Sequence, residues 1–135
     1  MNRSKLREII IKILYETYIY ETKDLNYNLD DLIKEQLETQ NEFVTKTIFD
    51  IKNQQEKLNN IANKYMKNWN IERLSKVDKA IISLGIYELL FTDTPNIVAI
   101  NEAVELAKIY SDEKVVKMIN GILDNVMHNE ETNDW

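Results

Sequence analysis

Apolar side chains recur every three to four residues along most of this chain, which is the period of an amphipathic α-helix. The first segment with this period spans residues 4–20 and contains the run LREIIIKILYE. A second segment begins near Asp30, and a third follows Asn41, whose short polar side chain suits the N-cap of a helix. The pattern therefore predicts three helices in the first half of the chain.

The third segment carries the most regular apolar stripe in the sequence. Its members alternate at spacings of four and three residues, which predicts a packing seam in a helical bundle. The stripe consists of Val44, Ile48, Ile51, Gln55, Leu58, Ala62, Tyr65 and Trp69. Gln55 is its polar member, and it is consistent with either a more hydrated end of the bundle or a side chain that fixes the helix register.

Three more helices are predicted in the second half of the chain. The first covers about residues 75–91 and contains Gly85, which costs about 1 kcal/mol relative to alanine and is explained if a neighbouring helix approaches closely. The chain then turns at Pro95 into a fifth helix, and a sixth covers about residues 113–126. The positions of the fifth helix predicted to face the core are Ile100, Ala103, Val104 and Ala107. The expected fold is all-α, with six or seven helices.

Composition agrees with a single helical domain. The 135 residues include only two glycines and one proline, whereas sheets joined by tight turns use more. We assign one core to residues 1–127 and expect the acidic, aperiodic segment 128–135 to be a frayed tail. The apolar runs are too short to span a bilayer and no signal peptide is recognisable, so we expect a cytoplasmic protein without membrane contacts.

Few residues suit catalysis or cofactor binding. The sequence has no cysteine, and its one histidine, His128, lies in the expected tail. Gly85 and Gly121 are isolated within helical patterns, whereas phosphate-binding loops need clustered glycines. The Glu-x-x-His pairs of a di-metal helical bundle are absent as well. We therefore expect a binding protein with no enzymatic activity, cofactor or metal.

Three segments of the C-terminal half carry a more specific signal: RLSKVDKAIISLGIYELLF, DTPNIVAINEAVELAKIYS and KMINGILDNV. Together with the N-terminal RSKLREIIIKILYE, they resemble the NusB family of bacterial transcription antitermination factors. The resemblance runs in register from Arg3 to about Val126 and is strongest in residues 73–123. It implies an all-α fold of two packed helical sub-bundles and a protein without catalytic activity.

The same resemblance implies a set of partners. Members of the family bind boxA, a short single-stranded element of nascent ribosomal or phage RNA. They bind it together with a small-subunit ribosomal protein also known as NusE, and the pair joins the RNA polymerase antitermination complex. Some members dimerise, so a homodimer of this chain is a further assembly to test.

The basic N-terminus is the first candidate RNA surface. The family's arginine-rich start corresponds here to Arg3, Lys5 and Arg7, in a chain whose net charge is −6. Arg3 and Arg7 are four residues apart and would share one helix face, which suits contacts along a phosphate backbone. The alternative is a solvated amphipathic helix start. Tyr15 matches a family position near the RNA, and a half-buried core tyrosine is an equal alternative.

The segment AKIYSDEKVVKM contains the second candidate RNA surface. Lys108, Lys114 and Lys117 lie near Tyr110 and Met118 in this segment. Basic groups interleaved with a stacking side chain suit single-stranded RNA. Lys114 stands where the family often has an acidic residue, and Met118 replaces an aromatic one. Lys114 should raise the affinity for RNA, whereas the loss of an aromatic ring at Met118 should weaken base stacking. The two effects oppose each other, and the sequence does not predict their sum.

Two further positions bear on the resemblance: Asp78 matches the family and Ser83 departs from it. Asp78 corresponds to a position near the RNA and ribosomal-protein surfaces, and we assign it to the protein-partner surface. Its alternative is an exposed first-turn residue favoured by the helix dipole. Ser83 stands where arginine occurs in relatives.

The polar residues of the sequences NEA (residues 101–103) and NGI (residues 120–122) are expected to have a structural role. Asn101 and Glu102 are predicted in the first turn of the fifth helix, where they would satisfy either free backbone N–H groups or the end of a neighbouring helix. Asn101 is also predicted to tie this helix to the one that carries Asn120 and Gly121, with glycine permitting a close approach.

Two other functions fit the same residues. One is an RNA-binding domain like that attached to some ribosomal RNA methyltransferases, but no catalytic domain follows in this sequence, which favours a free-standing factor. The other is a helical protein that self-associates and binds no RNA. Sedimentation combined with an RNA titration separates these functions.

Overall fold

A computed structural model of the chain describes residues 1–131, and all regular secondary structure in this range is helical. The helices are α1 (Arg3–Thr22), α2 (Leu29–Gln36), α3 (Glu42–Lys64), α4 (Lys76–Phe91), α5 (Asn96–Tyr110) and α6 (Glu113–Asn129). A short 3-10 turn at Ile71–Arg73 precedes α4. The predicted all-α fold class is therefore confirmed.

Polar side chains set the start of most helices. In five of them the N-cap side chain accepts a hydrogen bond from the backbone N–H three residues further along: Asn2, Asn28, Asn41, Ser75 and Asp112. Each bond satisfies a backbone donor that would otherwise be free, and its loss typically costs about 1 kcal/mol. Helix α5 differs, because its N-cap is Pro95 and no side chain caps it.

The two predicted sub-bundles share α4. Helices α1, α2 and α3 pack on one side and α5 and α6 on the other, while α4 contacts α1, α3, α5 and α6. Every residue from Asp78 to Phe91 is buried, as expected for a helix enclosed on all sides. The buried apolar residues of all six α-helices join into one continuous core within the described part of the chain.

The two glycines occupy opposite environments. A Cβ added at Gly85 would lie 2.9 Å from a δ-methyl of Leu123 and 3.5 Å from the Cβ of Ala103. This confirms that a neighbouring helix approaches closely at Gly85. A Cβ added at Gly121 would meet no atom of the described residues 1–131 within 4 Å, so the predicted close helix approach at Gly121 is wrong.

The predicted tie between α5 and α6 is wrong for a related reason. Helix α5 begins at Asn96, so Asn101 and Glu102 fall in its second turn, beyond the free N–H groups of its start. Asn101 and Asn120 are both exposed. Glu102 is directed to α1, where it accepts a hydrogen bond from Ser4 Oγ at 2.6 Å. This hydrogen bond ties α5 to α1.

The core-facing side of α5 differs in part from the prediction. Ala103 and Ala107 are buried as expected, but Ile100 and Val104 are only partly buried, and Leu106 is buried instead. Ala103 lies next to Gly85 of α4, so small side chains meet where these two helices pack.

The apolar seam of α3 is shorter than predicted. The helix ends at Lys64, Tyr65 is its C-cap, and Trp69 lies in the following loop with 49% of its surface exposed. Gln55 is a half-buried polar link: Tyr18 donates to it at 2.6 Å, and its amide donates to Ser83 Oγ at 3.0 Å. This network joins α1, α3 and α4, which favours the interpretation that Gln55 fixes their register.

The C-terminal segment begins as ordered structure. Helix α6 continues through His128 to Asn129, which corrects the expected start of the frayed tail. Glu130 then accepts hydrogen bonds from the hydroxyl of Tyr65 and from Lys64 Nζ, the latter at 3.2 Å. Residues 132–135 of the expected tail lie outside the described residues. None of the helices described is both long and apolar enough to cross a bilayer.

Candidate nucleic-acid interface

Arg7 is buried, although it was predicted to contact RNA. Its Nε and Nη2 donate to the two carboxylate oxygens of Glu88 at 2.8 and 2.9 Å, and its Nη1 lies 3.4 Å from Glu102 Oε1. Burial works to lower the pKa of Arg7, but the hydrogen bonds and charge of Glu88, with the charge of Glu102, outweigh it and raise this pKa. Because its side chain is only 4% exposed, Arg7 is not available to RNA and that prediction is wrong.

The other two cations of the N-terminal run remain on the surface. Arg3 and Lys5 are both exposed. The guanidinium of Arg3 lies 3.9 Å from the centroid of the Phe43 ring, a cation–π contact that orients it. Lys5 and Glu8 line a groove of about 470 Å³ between α1 and α5. Tyr15, further along α1, is exposed as well, so the alternative of a core tyrosine is not adopted.

Tyr110 brings the two predicted RNA surfaces together. Its hydroxyl donates to Glu8 Oε2 at 2.7 Å, which joins the end of α5 to the start of α1. This hydrogen bond, with burial and the charge of Glu8, raises the pKa of Tyr110 to about 12, so the hydroxyl stays neutral at physiological pH. The ring of Tyr110 is still 40% exposed and can offer a stacking face.

The lysines around the turn between α5 and α6 differ in whether they are paired with another side chain. Lys108 Nζ lies 3.1 Å from Glu105 Oε1 in an exposed pair. Lys114 and Lys117 are exposed, and neither side chain forms an ion pair or hydrogen bond with another of residues 1–131. Met118 is partly buried and packs against the core. Lys114 and Lys117 therefore carry the available charge of this surface.

The environment of Asp78 is neither the predicted protein-partner surface nor the exposed first-turn position given as its alternative. It is only 7% exposed, and its Oδ1 accepts a hydrogen bond from the hydroxyl of Ser111. Asp78 therefore ties the first turn of α4 to the turn that carries Tyr110 and Lys114. Its carboxylate positions that turn and presents little surface to a partner.

A second groove, of about 670 Å³, lies between the 3-10 turn and α6. The sequence pattern did not predict this groove. It is lined by Trp69, Arg73, Lys114, Met118 and Gly121 among others. Trp69 continues the spacing of the α3 seam, so the sequence pattern assigned it to that seam and not to a groove. The signal that could have revealed it is the pair of asparagines around it in NWN, since asparagine favours turns. Asn68 indeed has a φ of 60°, in the left-handed region.

Comparison with known proteins identifies the family. The model of the NusB family matches residues 4–128. This chain belongs to the NusB family. The transcription antitermination protein NusB of Methylacidiphilum infernorum (isolate V4) is 38% identical, over 100% of this chain and 96% of its own length. The protein of the same name from Listeria monocytogenes serotype 4a (strain HCC23) is 37% identical, over 93% of this chain and 96% of its own length.

Solved structures of NusB proteins share this fold. T. maritima NusB superposes with a TM-score of 0.83 at 32% identity, covering 98% of this chain and 94% of its own. A chain from the crystal structure of the antitermination factors NusB and NusE in complex with dsRNA superposes with a TM-score of 0.76. That chain is 25% identical and covers 93% of this chain and 96% of its own. The predicted NusB-like arrangement of helices is thus confirmed.

Proposed function

We propose that this NusB-family protein is a cytoplasmic transcription antitermination factor. It binds boxA-type single-stranded RNA together with NusE and joins the RNA polymerase antitermination complex, which supports ribosomal RNA transcription. The observation that carries the proposal is family membership over residues 4–128, with relatives of that name matched along nearly their whole length. The similarity to a chain from a NusB–NusE–dsRNA complex supports RNA and NusE as the partners.

The geometry of the surface supports RNA binding by contacts rather than catalysis. Exposed cations lie at the start of α1 and at the turn after α5, and the Tyr110–Glu8 hydrogen bond joins α1 to the end of α5. Cations on such a surface bind phosphates and release counterions, whereas the exposed ring of Tyr110 can stack on a base. The four cations are Arg3, Lys5, Lys114 and Lys117.

The test is a binding titration with boxA RNA, a scrambled RNA of the same length, and purified NusE. We expect boxA to bind at least about tenfold more tightly than the scrambled RNA, because a sequence-specific site binds its target more tightly than other sequences. Addition of NusE should strengthen boxA binding further, and affinity should fall with salt. Equal affinity for both RNAs, with and without NusE, would contradict the proposal. Sedimentation of the free protein in the same buffer tests the predicted homodimer.

A further inference from the structure

Helix α2 is short and lies at the edge of the bundle. It packs mainly on α1, and only two of its eight residues, Leu32 and Ile33, are buried. Between α2 and the start of α3 the surface forms a groove of about 720 Å³. This α2–α3 groove is lined by Asp30, Ile33, Lys34, Leu37, Glu38, Gln40 and Thr45. None of these residues belongs to either candidate RNA surface.

The α2–α3 groove offers apolar contacts as well as polar ones. Ile33 and Leu37 are four residues apart, and both line it. Leu37 is only partly buried, so part of its apolar surface is open to a ligand. Gln40 and Thr45 are shared with a second concave surface of about 530 Å³ at the start of α3. The concave surface therefore extends from one helix onto the next, which suits a peptide segment better than a small molecule.

The charges of this region favour a cationic ligand. Residues 30–42 contain five carboxylates and a single lysine, Lys34, in a chain whose net charge is −6. No side chain of the five forms an ion pair or hydrogen bond with another of residues 1–131: Asp30, Asp31, Glu35, Glu38 and Glu42. The next lysine along the chain, Lys46, is paired with Asp50 at 2.6 Å. Most of the negative charge around the groove is therefore uncompensated.

The stability of α2 explains only part of this charge. Asp30 and Asp31 lie in its first turn, where the helix dipole favours negative charge. Glu35 lies in the last turn and Glu38 directly follows the C-cap, Leu37, so the same dipole disfavours both carboxylates. The acidic C-terminal end of α2 therefore lowers the stability of the helix, and a positively charged ligand bound there would offset this loss.

We infer that the α2–α3 groove binds a basic amphipathic helix of a partner protein. Apolar side chains of that helix, three or four residues apart, pack against Ile33 and Leu37, and its lysine or arginine side chains pair with Asp30 and Glu38. RNA and anionic lipid surfaces do not suit this groove, because its carboxylates repel them. The inference goes beyond the proposed RNA-binding function and does not depend on it.

The first test uses a fluorescently labelled helical peptide of lysine and leucine, in which leucine recurs every three to four residues. Asp30→Asn combined with Glu38→Gln removes both carboxylates that line the α2–α3 groove. This double variant should bind the peptide at least about threefold more weakly, as expected for the loss of two surface ion pairs. Lys34→Ala removes the opposing cation and should strengthen binding. Fluorescence anisotropy measures the affinities.

The matched control carries the same two types of substitution elsewhere. Glu56→Gln combined with Asp93→Asn changes the net charge equally, at exposed positions that do not line the groove. It should leave the affinity for the peptide close to that of the wild-type protein. Circular dichroism should show the same helical content in both double variants, because all four positions are exposed.

A second peptide tests the apolar part of the groove. Alanine in place of each leucine keeps the charge and the helix but removes most of the apolar surface. This peptide should bind at least about tenfold more weakly, because less apolar area is buried. In NMR spectra of the protein with the leucine peptide, the amide signals of Ile33, Leu37 and Thr45 should shift most.

The other outcomes overturn the inference in distinguishable ways. If Glu56→Gln with Asp93→Asn weakens binding as much as Asp30→Asn with Glu38→Gln, the peptide is attracted to the whole acidic protein and not to the groove. If the alanine peptide binds as tightly as the leucine peptide, the groove takes no apolar side chains.

Two further measurements separate the inference from other functions. If the free protein self-associates in sedimentation and Asp30→Asn with Glu38→Gln abolishes this, the groove takes a second copy of this chain, and the inference of a different partner is wrong. The titration with boxA RNA stands apart, because its failure contradicts the proposed function and leaves the peptide results unchanged.

Discussion

The buried helix α4 and the groove beside α6 each involve an arginine and a glycine, in opposite settings. At α4, Arg7 of α1 is paired with buried Glu88, and Gly85 is packed against Leu123 of α6. At the groove, Arg73 has no ion pair within residues 1–131, and Gly121 has no neighbour above it. The same residue types therefore hold helices together in one region and remain available to a ligand in the other. The two regions differ because segments distant in the sequence bring partner side chains to Arg7 and Gly85 but, within residues 1–131, not to Arg73 and Gly121.

The largest difference is expected between the two arginines. Arg7→Met should lower the free energy of unfolding by about 3–5 kcal/mol, because it leaves the carboxylate of Glu88 buried without its partner. Arg73→Met should change it by no more than about 0.5 kcal/mol, as is usual for surface positions. Urea denaturation of both variants gives the two values, and similar values would contradict the contrast.

A second substitution tests the reason given for Arg7. If the cost arises from the unpaired carboxylate, Arg7→Met combined with Glu88→Leu should recover a large part of the lost stability, since apolar replacements of buried ion pairs are often nearly neutral. A double variant as unstable as the single one would show that packing around Arg7, and not the charge of Glu88, sets the cost.

The two glycines should differ by a smaller amount. Gly85→Leu forces a side chain against Leu123 and should lower the free energy of unfolding by about 1–3 kcal/mol, the usual cost of overpacking. The reference is Gly121→Leu, where the space is open and no loss is expected. Thermal melting monitored by circular dichroism measures both variants. Equal losses would mean that the surface at Gly121 is not open.

The cations that line the groove beside α6 should affect RNA affinity and its salt dependence. Arg73→Ala and Lys114→Ala should each reduce the slope of log affinity against log salt by about 0.7, the value for one phosphate contact on a single strand. Lys34→Ala is the control, because Lys34 is exposed on α2, outside both candidate surfaces. Fluorescence anisotropy of labelled boxA RNA at several salt concentrations gives the slopes. An unchanged slope for Arg73→Ala would remove this residue from the RNA path.

The smallest effect concerns Tyr110, which connects α1 to the turn after α5. Its pKa is raised from 10.0 to about 12, so its protonated form is favoured in the folded state. The stabilising contribution of the hydroxyl is therefore complete below the pH at which the unfolded chain titrates. It is lost as the pH rises from about 10 to about 12. Titration of Tyr110 by NMR should show this raised pKa, and Glu8→Gln should bring it back towards the usual value. A pKa unaffected by Glu8→Gln would contradict the contact.

The helices could be predicted because their signals are local. The three-to-four period marks each segment, and Asn41 caps the helix that follows it as predicted. The burial of Arg7 could not be predicted, because its partner Glu88 is 81 residues away and meets it only when α1 packs on α4. Spacing alone also continued the α3 seam to Trp69, past the turn at Asn68 that directs the indole to the groove.

The position of the candidate surface was predictable in part. Family resemblance marked the start of α1 and the turn after α5, which the Tyr110–Glu8 hydrogen bond brings together. It assigned no RNA-binding role to Trp69 or Arg73. The sequence shows that Gly121 lies in a helix, but whether that position faces another helix or open space depends on how α6 is rotated in the bundle.

The enclosure of α4 by both sub-bundles has a consequence for how the protein unfolds. Each sub-bundle completes its core with α4, so neither can separate from this helix without exposing apolar side chains of both. The two halves should therefore melt in a single cooperative transition. Amide protons in α4 should exchange with solvent only when the whole chain unfolds, whereas those of the short, peripheral α2 should exchange through local opening.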